Sequence, residues 1–424
     1  MKPKHDLHPD TICVHGTYDP MEHRGARSMP IYQSAAYCYE SADQAAALFS
    51  FAEEGSVYSR LGTPTTDEAE NRVALLEGGI GAVSFASGMA ALSAFVLNFL
   101  KSGDEIAAAS SLYGGSMGLL TDTLPRLGIT ARFFDPLKPE SLEAIMTGAT
   151  RLILAENLAN PTLSVPDHEG LSAVARKWRV PYLVDNTFAT PLICRPADFG
   201  ADFVLHSTTK YMMGHGDAIG GMLVDAGSFE FDRARYPLMF DVAPDGRSYV
   251  ESFGKKAFLT RLRGKGLMNL GGCMAPFHAW LLIRGLESLP VRYERHLENA
   301  RFLADELAGH PAVAWVNHPS RPDHPSHGNA DRYLKGKYGA VLGFGLKGGY
   351  EACKRFIDGI ELISHTTNIG DTKTLVIHPA STTHRNMDAA ARKAVGIGDD
   401  FIRMSVGLEN REDLMRALDA ALRA

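Results

Sequence analysis

Cysteine is scarce in this chain. Cys13, Cys38, Cys194, Cys273 and Cys353 are widely spaced, odd in number and without a Cys-x-x-Cys pair; this argues against a disulfide framework and a zinc knuckle. They read as reduced thiols of a cytoplasmic protein. An excess of positive charge is also lacking. The formal net charge is −6, and lysine and arginine are scattered rather than striped, which argues against a nucleic-acid partner. The amino-terminal Met1-Lys2-Pro3-Lys4-His5-Asp6 is followed by mixed polar residues and no apolar core, so no secretory signal is expected. No internal repeat and no low-complexity tract is present. One run, Gly78 to Leu100, has no charged residue over a bilayer's length. Gly78, Gly79, Gly81 and the turn Ser87-Gly88 divide it into a loop, a strand near 82–85 and a helix from Met89, which reads as a buried strand-turn-helix and not a membrane span.

What is present is a chain of 424 residues, 45% hydrophobic, enough for two or three domains of a globular protein. Between residues 80 and 225 short apolar runs alternate with amphipathic ones. Strands are predicted at 82–85, 105–108, 131–134, 151–155, 182–184, 203–205 and 222–224, with helices at 89–100, 116–127, 140–146 and 170–178. That alternation predicts an α/β fold with a mostly parallel central sheet. Residues 1–62 lack a sustained period and read as an arm, of the kind that contacts a neighbouring subunit. Residues 63–287 form the large domain, and 288–424, with a helix at 291–307 and strands at 340–346, 375–377 and 401–406, a smaller α+β domain. Residues 248–272 hold Lys255, Lys256, Arg261, Arg263 and Lys265 and are expected to be a surface insertion with a solvated charged face.

In a sheet of this kind ligands bind beyond the carboxyl ends of the strands, and there the chain places Ser87, Glu156, Asp185 and Ser207 with Lys210. Pro181-Tyr182-Leu183-Val184-Asp185 is a buried run ending in a carboxylate, and Ser207-Thr208-Thr209-Lys210 follows a second such run. A lysine to hold an aldehyde as a Schiff base, a carboxylate to keep a ring nitrogen protonated, and hydroxyl or backbone donors for a phosphate are what pyridoxal 5'-phosphate needs. Each element has a plainer reading. Ser87-Gly88-Met89 alone is an ordinary helix N-cap, Asp185 a turn aspartate and Lys210 an exposed lysine past a strand end; it is their combination with Ser207 and Thr209 that favours a phosphate site at a helix start. Tyr113, before Gly114-Gly115, supplies a ring that can lie flat on a planar cofactor or simply pack in a turn. Arg403, inside Phe401-Ile402-Arg403-Met404-Ser405-Val406, suits the carboxylate of an amino-acid substrate, with an edge-strand arginine as the alternative. His378 and His384 flank a loop without a third ligand at regular spacing, so no metal is expected.

Pro30-Ile31-Tyr32-Gln33-Ser34, Tyr58-Ser59-Arg60, Leu76-Glu77-Gly78-Gly79, Ala86-Ser87-Gly88-Met89, Asn160-Pro161, Val184-Asp185-Asn186-Thr187 and Ser207-Thr208-Thr209-Lys210 together resemble the pyridoxal-phosphate enzymes of cysteine and methionine metabolism, nearly end to end. The insertion before residue 275, Asn368-Ile369-Gly370-Asp371 and Ile377 to His384 resemble the O-acetylhomoserine sulfhydrylase branch; the lyase branch usually has serine where Asn368 stands. The resemblance implies the fold type I, aspartate-aminotransferase-like architecture of the PLP-dependent transferases. It implies Lys210 as Schiff-base lysine and proton shuttle, Asp185 as partner of the ring nitrogen, Tyr113 as the stacking ring, and Ser87, Gly88, Met89, Ser207 and Thr209 as phosphate ligands. It further implies that Tyr58 and Arg60 reach the phosphate of a neighbouring subunit in a dimer or tetramer, that Asn160 lies near the cofactor's phenolic oxygen, and that Arg403 and the backbone at Asn368 bind the substrate carboxylate. The expected reaction is γ-replacement on O-acetylhomoserine by sulfide or a small thiol, as in methionine biosynthesis. The alternatives are a methionine or cystathionine γ-lyase, a cystathionine γ-synthase and, from another class, a non-catalytic pyridoxal-phosphate-binding protein. Thr63 departs from the asparagine that this family mostly carries before Pro64-Thr65.

Overall fold

The computed structural model describes residues 7–383, 385, 388, 392 and 396–423, so that His384 lies outside the described residues. The apolar runs of the first part become a seven-stranded sheet: β1 (Gly81–Phe85), β2 (Glu105–Ala109), β3 (Thr130–Phe134), β4 (Thr150–Glu156), β5 (Tyr182–Asp185), β6 (Phe203–His206) and β7 (Gly221–Asp225). Each predicted strand is there, extended by one or two residues. Their spatial order is β1-β7-β6-β5-β4-β2-β3. Strands β3, β2, β4, β5 and β6 run parallel, and β7 is antiparallel to both β6 and β1. The two reversals restore the direction, so β1 ends at the same edge as β4, β5 and β6. The loops leaving those four strands therefore gather at one edge.

One face of the sheet carries an aromatic core in which Phe95 and Phe99 of the helix Gly88–Phe99 meet Phe203 and Phe258 edge-on or tilted. Phe258 belongs to the region expected to be a solvated insertion, and that expectation is corrected. Tyr249, Phe258, Leu262 and Leu267 are buried there, because their apolar area is worth more in the core than the loop's polarity suggests. Arg261 donates to the carbonyl and Oδ1 of Asn98 and to Asp241, and Arg263 donates to Leu61 O and pairs with Glu70. Of the five basic residues only Lys255, Lys256 and Lys265 face solvent.

The helix expected over 116–127 is interrupted. An α-turn at Gly114–Gly118 passes into wider turns over Leu119–Thr123 and tighter ones over Leu124–Leu127; Gly114, Gly115 and Gly118 are weak helix formers and Pro125 lacks a donor. The helix expected from residue 291 instead spans Pro276–Gly309, with Pro290 inside it. It crosses residues 287–288 and buries Leu282, Leu286, Leu289, Tyr293 and Leu303 between the two halves of the chain. Thr63 is the N-cap of the helix Pro64–Glu77, exchanging bonds with Thr66 in a capping box, a role asparagine also fills.

The second sheet comprises β8 (Val313–Asn317), β9 (Val341–Leu346), β10 (Ser364–His365), β11 (Leu375–Ile377) and β12 (Phe401–Ser405), in the order β10-β11-β12-β9-β8. All its pairs are antiparallel except β10 with β11. Among the described residues no helix is long and apolar enough to cross a membrane.

Candidate active site

Past β6 the chain turns tightly, with the Lys210 N–H donating to Ser207 O at 3.3 Å and the Gly214 N–H to Lys210 O at 2.8 Å. The buried Arg292 of the long helix fastens the far side of this turn, donating to the carbonyls of Tyr211, Met212 and Gly285. Lys210 is thus held at its backbone while its side chain reaches across to the second half of the chain, where Nζ donates to Asn368 Oδ1 at 2.6 Å. Burial, and secondarily the Arg403 guanidinium, lowers the Lys210 pKa to about 8. An amine so placed is neutral in useful proportion near neutral pH, as a nucleophile or base must be.

Glu156 and Asp185 end adjacent parallel strands in register, side by side about 5 Å apart. Asp185 Oδ1 accepts both the N–H (3.0 Å) and the hydroxyl (2.5 Å) of Thr187, while its Oδ2 has no hydrogen bond among the described residues. Burial raises the Asp185 pKa against the Thr187 bonds and the charge of His206, and burial together with Asp185 raises that of Glu156. Two buried carboxylates in contact want a cation between or beside them. Thr187 also accepts the Ser207 N–H at 2.8 Å, tying the aspartate to the lysine's turn.

Ser87 is the N-cap of the helix Gly88–Phe99, its Oγ accepting the Ala90 N–H at 3.0 Å. The amides of Gly88 and Met89 precede the first intrahelical bond and are left for an anion. A Cβ on Gly88 would stand 2.9 Å from that of Ser207, so the absence of a side chain is what lets the helix start meet the lysine's turn. Thr209 Oγ1 accepts the Gly220 N–H at 3.0 Å and donates to Gly220 O at 3.2 Å. Tyr113 begins the turn Gly114–Gly118, about half exposed, with its ring over Gly115.

Arg403, buried on β12, draws the loops together. Its Nη1 donates to Asn160 Oδ1 at 3.0 Å, its Nη2 donates to Thr367 O at 2.9 Å and Asn368 O at 3.4 Å, and its Nε is buried without a partner. Burial lowers its pKa to about 10. Lys210, Asn368, Arg403, Asn160, Asp185, Thr187 and Ser207 are therefore one connected cluster. Tyr58 and Arg60 are not part of it: the Arg60 guanidinium lies 5.3 Å from the Tyr58 ring centre and donates to Met268 O. His378 is occupied by Ser381 Oγ and Asp399 O.

Sequence reasoning gave Thr187 and Glu156 no task. The Glu156 carboxylate accepts the N–H of Tyr113 at 2.5 Å and of Asn160 at 3.0 Å. Its place in register with Asp185 was the available signal. The donor set fits pyridoxal phosphate: a carboxylate oxygen without a partner, a lysine of lowered pKa, free amides at a helix start beside hydroxyls, and a guanidinium with an unpartnered N–H.

A model of the family described as Cys/Met metabolism PLP-dependent enzyme matches residues 10–423. The chain is similar to O-acetyl-L-homoserine sulfhydrylase 1 of Thermus thermophilus, 44% identical over 97% of this chain and 99% of the relative. It is 42% identical to the O-acetyl-L-homoserine sulfhydrylase of Leptospira meyeri, over 98% of this chain and 96% of the relative. The crystal structure of a putative O-acetylhomoserine (thiol)-lyase from Campylobacter jejuni, which carries a pyridoxyl-lysine phosphate at its own position 205, superposes with a TM-score of 0.95 at 37% identity, covering 99% of this chain and 100% of that one.

Proposed function

The chain belongs to the Cys/Met metabolism PLP-dependent enzymes, and on that premise we propose that it replaces the acetoxy group of O-acetyl-L-homoserine with sulfide, giving L-homocysteine and acetate. The observation that carries the reading is the meeting of Lys210, Asn368 and Arg403 at one point, an amine and a guanidinium held by the same loop. The names of the relatives supply the substrate. Lys210 holds the cofactor between turnovers, Asp185 Oδ2 takes the ring N–H, and the Tyr113 ring stacks. Ser87, Gly88, Met89, Ser207 and Thr209 hold the phosphate, and Asn160 lies by the phenolic oxygen. Tyr58 and Arg60, whose side chains stack on each other with the guanidinium bonded to Met268 O, complete the phosphate site of a neighbouring subunit, in a tetramer built of such dimers. The free thiols fit a cytoplasmic enzyme.

Pyridoxal phosphate, when bound, withdraws electrons from the carbon that bears the substrate's amino group. Arg403 and the backbone N–H of Asn368 hold the α-carboxylate and so fix which bonds face Lys210. Lys210 Nζ takes the Cα proton and would pass it to the bound cofactor before taking a second from Cβ, because an amine carries only one added proton at a time; acetate leaves Cγ with its bonding pair, and the hydrosulfide ion supplies the pair of the new C–S bond. Lys210 then returns a proton to Cβ and, in a separate transfer, one to Cα, with Asn368 Oδ1 holding the amine in place between transfers. Tyr113 stands close enough to Arg403 to act electrostatically on it, and its hydroxyl serves as acid or base toward the γ-carbon.

The test is product analysis of the pyridoxal-phosphate-loaded protein given O-acetylhomoserine with and without sulfide. Homocysteine formed only with sulfide is the expected result. Keto acid and ammonia regardless of sulfide would overturn it in favour of a lyase, and no turnover at all in favour of a non-catalytic binding protein.

A further inference from the structure

We propose that Glu156 is a positioning residue, a single carboxylate that clamps the loop carrying Tyr113 to the loop carrying Asn160 and, through Asn160, sets Arg403. The inference rests on the pyridoxal-phosphate reading for what those residues do, but the clamp is a matter of geometry. Glu156 is the last residue of β4, and its register with Asp185 turns its side chain to the cofactor side of the sheet. One oxygen, Oε1, accepts the Tyr113 N–H at 2.5 Å, and the other, Oε2, accepts the Asn160 N–H at 3.0 Å. Asn160 Oδ1 in turn accepts from Arg403 Nη1 at 3.0 Å. One side chain therefore links the stacking ring to the substrate-binding guanidinium, across three segments remote in sequence.

The chemistry requires a carboxylate. Tyr113 is the N-cap of the five-residue helical turn Gly114–Gly118, and its own N–H is bonded by Glu156. A carboxyl group offers an acceptor oxygen to each of the two N–H donors in one plane. Glutamine of the same shape would present an oxygen to one and an NH2 to the other, releasing one loop and repelling it. Aspartate is too short by a methylene. Burial first, and Asp185 beside it second, work against the charge of Glu156 and raise its pKa to about 8; a glutamine carries no charge to bury or repel, so loss of function in it has to come from the lost acceptor.

The experiment compares wild type with Glu156→Gln and Glu156→Ala in three readouts. Hydrogen–deuterium exchange of cofactor-free protein, over peptides spanning Tyr113 and Asn160, reports the clamp itself. Visible circular dichroism of the loaded protein reports how the cofactor is held, and steady-state kinetics separate KM from kcat. We expect exchange at one of the two loops to rise about tenfold in Glu156→Gln and at both in Glu156→Ala, with weaker cofactor dichroism and a KM for O-acetylhomoserine up about tenfold. Unchanged exchange in both variants would overturn the clamp. Raised exchange with wild-type dichroism and KM would overturn its role in positioning. A wild-type protein that does not turn over O-acetylhomoserine would count against the substrate alone, since exchange and dichroism would still decide the clamp.

Discussion

Gly370 lies against the backbone of Lys210. A Cβ on it would stand 2.6 Å from the Tyr211 nitrogen and 3.2 Å from Lys210 Cα, and its φ of +72° is one that L side chains rarely adopt. Its N–H donates to Ser405 Oγ at 2.9 Å, which pins the loop to β12 two residues beyond Arg403. The loop that carries Asn368 is thus seated directly on the backbone of Lys210.

Gly370→Ala would meet both obstacles at once. The left-handed conformation costs about 1–2 kcal/mol for a residue with a Cβ, and the loop must also lift away from Lys210. Separating Asn368 Oδ1 from Nζ by even about 1 Å should lower kcat by about two orders of magnitude, while the cofactor, held from the sheet side, stays bound. Steady-state kinetics and the visible absorbance of the loaded variant check this. Wild-type kcat would show that the loop's seat on the lysine is unimportant.

The pKa of about 8 for Lys210 has a kinetic consequence. The proton transfers need the neutral amine, so kcat should rise with pH through about 8 and level off above it. Among kinetic parameters kcat is the one to follow, because it reports the complex in which the amine has been freed by substrate. A kcat that is flat from about pH 6.5 to about 9.5 would exclude Lys210 as the group whose proton transfer limits turnover.

The strands were legible because parallel strands covered on both faces leave continuous apolar runs, as in Tyr182-Leu183-Val184; Asp185 was legible because it closes such a run, and Lys210 because it stands in the hydroxyl-rich turn just after one. Pairings across long stretches of chain were not. The partner of Lys210 Nζ lies 158 residues away and that of Arg263 lies 193 residues away, and composition shows a charge without showing what neutralises it. Arg261 and Arg263 therefore looked like surface residues. Glu156 was visible as a strand end, but its use depends on the Tyr113 turn, 43 residues away, meeting the loop that Glu156 itself opens, and no local pattern encodes that meeting. The start of the long helix was hidden by Pro290, whose missing N–H is tolerated inside 34 residues of helix.

Arg263 gives a stability prediction. Its guanidinium pairs with the buried Glu70, whose other oxygen accepts the Ser84 N–H at 2.8 Å and its hydroxyl at 2.7 Å. Arg263→Met would leave Glu70 charged and unmatched, with Asp67 close by, itself raised to about 7 by burial and by Glu70. Breaking a buried pair on one side costs about 3–5 kcal/mol, and Leu61 O would lose its donor as well. Urea unfolding should show a loss of that order, partly restored in the double variant Arg263→Met with Glu70→Gln. An unaltered midpoint in Arg263→Met would return these arginines to the surface.

His168 sits at one end of a fully buried chain of hydrogen bonds. Its Nδ1 accepts the Tyr182 hydroxyl at 3.0 Å and its Nε2 donates to Asn157 Oδ1 at 2.9 Å; Asn157 donates to Asn186 at 2.7 Å, and Asn186 to Glu77 at 2.8 Å, where His206 also ends at 2.7 Å. Each amide has its donor and acceptor ends assigned by its neighbours, which leaves no place for a second proton on His168. Burial lowers its pKa to about 3, whereas in the unfolded chain it titrates near about 6.5. Between those values the unfolded chain binds a proton that the folded one refuses, so stability falls as pH drops below about 6.5, by about 2 kcal/mol at pH 5 from this group. His296 and His318, each lowered to about 4, act in the same direction. His168→Gln should be less stable than wild type at about pH 8, where it loses one bond of the chain, yet lose less on going to about pH 5. Urea midpoints at the two pH values decide it: parallel losses in the two proteins would mean that the proton is accommodated in the folded core after all.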